Sequence, residues 1–110
     1  MMQKIYLIVT ILFINHSAFA DLVQKNPQWG KYCQSSDSYS FRLHNTSDKP
    51  VDVKVCLEQH GQQWHCYIDK NVQPGAIFPA DKEYRVCHGT GIAQWWVRAN
   101  GDYNAFPHPY

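Results

Sequence analysis

From Tyr39 onward, apolar and polar side chains alternate. Tyr39, Phe41 and Leu43 interleave with Ser40, Arg42 and His44, and Val51, Val53, Val55 and Leu57 with Asp52, Lys54, Cys56 and Glu58. A period of two places one set on each face of a half-buried strand. Between these segments Asn45 to Pro50 reads as a turn, with Pro50 where a missing N–H is tolerated. Further strands are expected over Trp64–Asp69, Ala76–Phe78, Glu83–His88 and Ile92–Ala99, punctuated by Gly61, Gln73-Pro74-Gly75 and Gly89-Thr90-Gly91. Asn100-Gly101 suits a type I′ turn, whose two central residues both need positive φ. It predicts a last strand over Asp102–Phe106, ended by Pro107 and Pro109. Residues 21–38 lack a clean period and read as an extended N-terminal lead-in, pinned by Trp29, Tyr32 and Cys33. About seven short strands and no helical period predict an all-β domain over residues 39–110. The expected architecture is a small antiparallel β-sandwich, immunoglobulin-like in the loose sense, or a small barrel.

Residues 1–20 follow a different pattern. Lys4 precedes a ten-residue apolar run from Ile5 to Ile14, broken only by Thr10, and Ala18-Phe19-Ala20 supplies a small-residue cleavage site. This is the layout of a cleavable signal peptide. A run that short spans about 15 Å as a helix, half a bilayer core, so no transmembrane anchor is expected. The mature chain is thus expected in the periplasm or outside the cell. Export bears on the four cysteines, Cys33, Cys56, Cys66 and Cys87, an even set in a small secreted domain. A chain this size buries only roughly 60–65% of its unfolded surface, so crosslinks matter. Two disulfides are expected, without the close Cys-x-x-Cys spacing that zinc favours.

Their pairing hangs on the hairpin about Gly61. If partner residue numbers total 122, Cys56 faces Cys66, and Trp64 and Ile68 share a face with Lys54 and Glu58. If they total 121, Trp64, Cys66 and Ile68 join the valines on one apolar face, and Cys56 and Cys66 point opposite ways. The first register implies Cys56–Cys66 with Cys33–Cys87; the second implies Cys33–Cys66 with Cys56–Cys87.

Charge and chemistry narrow the function by exclusion. Without Lys4, nine Lys/Arg stand against nine Asp/Glu, so no basic patch for nucleic acid is expected. There is no Gly-x-Ser-x-Gly elbow, oxidised cysteines offer no thiolate, and the carboxylates fall in turns or on alternating faces. An enzyme is not expected, and no cofactor. Five histidines follow the leader: His44, His60, His65, His88 and His108. His60 and His65 flank the Gly61 turn and, with His44 or His88, allow an alternative as a periplasmic copper- or zinc-binding protein. Their protonation would carry the net charge from near zero towards +5 as pH falls below about 6.5.

The last hairpin offers the candidate site. With a two-residue turn at Asn100-Gly101, Trp95, Val97 and Phe106 share the core face, while Trp96, Arg98 and Tyr103 share the opposite one. Trp, Arg and Tyr are the residues most enriched at interface hot spots. Trp64 and the His60–Gly61 loop form a second candidate surface. Ala93-Gln94-Trp95-Trp96 resembles, over four residues, the A-x-W-W stretch of small chitin-binding modules, which implies indoles that stack on polysaccharide. Asn45-Thr46-Ser47 is an N-x-S sequon. The expectation is an exported, non-enzymatic domain that binds another exported or envelope protein, as an inhibitor, immunity factor or accessory subunit. A carbohydrate- or envelope-binding module is the alternative.

Overall fold

The computed structural model describes residues 22–109; the signal peptide expected over residues 1–20 lies outside them. The described chain is all-β, with seven strands: β1 (Leu22–Trp29), β2 (Tyr39–Asn45), β3 (Val51–Gln59), β4 (Gln63–Val72), β5 (Ile77–Phe78), β6 (Tyr84–Val86) and β7 (Gly89–Ala99). They form two antiparallel sheets. In one, β2 lies between β1 and the short pair β5 and β6; in the other, β3 lies between β4 and β7.

The alternation seen in the sequence decides which face each strand buries. Tyr39, Phe41 and Leu43 of β2, and Val51, Val53, Val55 and Leu57 of β3, pack with Val72, Phe78, Tyr84 and Val86 into one core. Trp95 and Val97 of β7 pack against its edge, and Trp95 lies 5.8 Å from Phe41, centroid to centroid. Burial raises the pKa of the Tyr84 hydroxyl, helped by its hydrogen bond to Asp69 Oδ2 at 2.5 Å. Among the described residues no helix is long and apolar enough to cross a membrane.

Three findings refine the sequence reading. The first concerns the lead-in. Leu22–Trp29 is a full strand of the first sheet, paired along β2 through a register shift between Lys25 and Gln28. Asn26 takes a positive φ there, beside Pro27, and this irregularity hides the period of two.

The second settles the hairpin about Gly61. Cys56 pairs with Cys66, Lys54 with Ile68 and Glu58 with Trp64, and Cys56–Cys66 is a disulfide, as is Cys33–Cys87. The crossed pairing is excluded. Near its end β4 takes one extra residue, with Asn71 at φ 55°, so that Val72 sits opposite Val51 and reaches the core. Two disulfides suggest an oxidising, exported compartment.

The third corrects the last hairpin. Among the described residues, Asp102–Phe106 forms no strand and β7 pairs only with β3. The Asp102 N–H closes a turn onto the Ala99 carbonyl at 3.0 Å, but only Gly101 of its two central residues has positive φ. That is the pattern of a type II turn, whose twist splays the flanking strands rather than pairing them. Residues 102–109 instead cross the outer face of the β4-β3-β7 sheet. The sequon also resolves. Asn45 is fully buried and donates from Nδ2 to the carbonyls of Lys49, Val72 and Gln73 at 3.1–3.2 Å.

Candidate functional site

The outer face of the β4-β3-β7 sheet follows directly from its register. Side chains opposite one another in an antiparallel ladder share a face. Trp64 and Ile68 of β4 therefore lie with Asp52, Lys54, Cys56 and Glu58 of β3 and Gln94, Trp96 and Arg98 of β7, while Ile92 falls between Ala93 and Gly89, where the register shifts. Ile68 is 56% exposed and Ile92 51%, while Trp64 and Trp96 are half-buried. The Cys56–Cys66 disulfide crosses the middle of this face, its two Cα atoms 4.0 Å apart. Trp64 and Trp96, expected on separate surfaces, thus share one.

Every charged group of β3 and β7 on this face already has a partner. Asp52 Oδ2 accepts from Arg98 Nε at 3.1 Å, and the two side chains are only 4% and 15% exposed. Burial pushes the Asp52 pKa up, but hydrogen bonds from Asn100 and from the Asn71 N–H, together with Arg98, overcome this and hold it below the usual carboxylate value. Lys54 Nζ lies 5.7 Å from the Trp96 ring centre and donates to the Pro107 carbonyl at 2.9 Å. Glu58 accepts from Thr90 Oγ1 at 2.8 Å. The C-terminal segment supplies the cover: Arg98 stacks on Phe106 at 4.3 Å and also bonds the Asn104 carbonyl. The groups left in water on this face are largely apolar.

The expected trio therefore divides. Trp96 and Arg98 do share a face, but the cation over Trp96 is Lys54, and Arg98 is turned into the Asp52 pair. Tyr103 does not pair with Arg98 across a ladder; it is 92% exposed on the crossing segment. Phe106 is not in the core but stacks on Arg98. Ile68 and Ile92 were not singled out by residue type; the only signal for Ile68 was the register that faces the cysteines.

A cleft of about 390 Å³ opens where the crossing segment passes β7, lined by Gln94, Trp95, Trp96, Pro107 and His108. His60 lies elsewhere. With His88 it faces the Asp37 carboxylate, at 4.0 and 3.3 Å, while His65 packs edge-on against Tyr67 at 4.9 Å. The Ser35 hydroxyl above all, then His88, hold the Asp37 pKa below its ordinary value. Among the described residues no group of three or more His, Cys, Asp or Glu is arranged to hold a metal ion. Comparison of the chain with protein-family models, with curated proteins and with solved structures finds no match.

Proposed function

We propose that this is an exported, non-enzymatic protein-binding domain, a loosely immunoglobulin-like β-sandwich working in the periplasm or outside the cell. Its partner is another exported or envelope protein, met by the outer face of the β4-β3-β7 sheet. The observation that carries this reading is the register of β4. A slip of one residue would turn Trp64 and Ile68 inward, and burying an aliphatic side chain of that size is worth about 1.5–3 kcal/mol. The Cys56–Cys66 bond forbids the slip and keeps both side chains on the outer face. A covalent constraint that opposes burial fits a surface built for contact rather than for stability.

The test compares wild type with Ile68→Asp and Trp96→Ala in affinity capture from an extract of the source organism's envelope, with mass-spectrometric readout. One dominant protein should be retained by wild type and lost with either variant; equal capture by all three would overturn the assignment. The Trp-lined cleft, with the Gln94 amide and His108 beside two indoles, favours a second reading, stacking on a sugar ring. Under that reading wild type alone is retained on insoluble polysaccharide, and no protein is captured.

A further inference from the structure

We propose that β7 is a self-association edge, along which two copies of this chain pair to join their β4-β3-β7 sheets into one six-stranded sheet. This stands independently of what the outer face binds.

An unpaired edge strand is a template for another chain, and proteins blunt such edges with short strands, charges, prolines and bulges. The described edges divide on this criterion. β1 carries Lys25, Pro27 and a bulge. β5 and β6, with two and three residues, are too short. β4 carries Asp69, Lys70 and the bulge at Asn71. β7 also shifts register, between Ala93 and Gly89 where Gly91 has φ 87°, but from Ala93 to Ala99 it carries no proline or bulge, and its single charge, Arg98, is already bound to Asp52. The splayed turn at Gly101 leads the following segment across the sheet's face, so no described strand other than β3 pairs with β7, and Pro107 and His108 pass beside it at Gln94–Trp96 with a cleft between.

The second copy fits because β7 complements itself. Antiparallel partners must lie on the same face, so Gln94, Trp96 and Arg98 meet only one another, as do Ala93, Trp95 and Val97. In registers with the two-fold axis at Gln94, Trp95 or Trp96, Arg98 never opposes Arg98. With the axis at Trp95, Gln94 faces Trp96 of the partner subunit. A two-fold arrangement of this kind closes on itself and does not propagate into fibres.

Sedimentation equilibrium of the oxidised mature protein over a wide concentration range tests this, alongside amide hydrogen exchange. Wild type should show a reversible monomer–dimer equilibrium with Ile92–Val97 amides protected as the dimer fills. The double variant Gln94→Lys/Trp96→Lys places like charges opposite each other in each of these registers and should weaken the dimer by about tenfold or more. Its melting temperature in dilute solution, where monomer dominates, reports that it still folds. Ile68→Lys, on the far edge of the same face, should leave the dimer intact. A monomer at every concentration would overturn the proposal, as would a dimer indifferent to the β7 variant or one broken equally by Ile68→Lys.

Discussion

Single side chains settle where this small domain is intolerant of change. Gly91 has φ 87°, and a Cβ there would lie 2.8 Å from Cζ2 of Trp29. Gly91→Ala combines a left-handed backbone with a clash against a ring and should cost about 2 kcal/mol or more, read from denaturant unfolding. Asp52 gathers Arg98, Asn100 and the Asn71 N–H, so Asp52→Ala leaves a mostly buried guanidinium without its carboxylate and should cost about 3 kcal/mol. Glu83 governs part of the acid limit. Hydrogen bonds from Lys31 at 2.7 Å and from the Tyr32 hydroxyl hold its pKa below the reference of 4.5. A group whose folded pKa is depressed stabilises the fold above its unfolded value and loses that contribution as pH falls through the folded one. Stability should therefore hold down to about pH 4.5 and decline below it, Asp37 and Asp52 adding to the fall from 3.8 downward. Glu83→Gln should flatten the first part of that decline in pH-dependent thermal melts.

At the scale of strands, six of the seven were legible, because alternation is a local signal wherever one face is buried. The exceptions share a cause. In β1, Pro27 and the left-handed Asn26 interrupt the period over the stretch where the register shifts. In residues 102–106, Asn-Gly gave the right turn position but not its type, and the dihedral of Asn100 decided whether the chain paired or crossed. The placement of Trp96 and Arg98 on one face was legible from spacing alone. The ion pair that occupies Arg98 was not, since Asp52 is 46 residues away. The β4 register was ambiguous because two strong rules conflicted, apolar patterning against sulfur geometry, and the covalent bond prevailed. Replacing Cys56 and Cys66 by Ala should cost about 3 kcal/mol in loop entropy. It should also shift tryptophan emission to the blue, as Trp64 gains the choice of turning inward. Replacing Cys33 and Cys87 should cost about 4 kcal/mol by the same entropy with no such shift, because that bond ties the β1–β2 loop to the β6–β7 link and leaves β4 untouched.

For the molecule as a whole, the crossing segment is the element that most alters the outer face of the β4-β3-β7 sheet. It covers Lys54 and Arg98 and builds one wall of the cleft beside Trp95 and Trp96. A chain ending at Gly101 should keep both disulfides. It should show red-shifted tryptophan emission as Trp96 is uncovered, and lower stability as the Asp52–Arg98 pair becomes wet.

Asn45 carries a consequence for the choice of host. Oligosaccharyl transfer joins a glycan to the amide nitrogen of Asn in a nascent, still-open polypeptide. Here that nitrogen is the clamp between the β2–β3 turn and the end of β4. A eukaryotic secretory line would therefore set modification racing against closure of this clamp, and every molecule that lost the race would carry a sugar where three carbonyls need a donor. Bacterial secretion avoids the contest, and so would Ser47→Ala, at the cost of one hydroxyl bonded to Asn45.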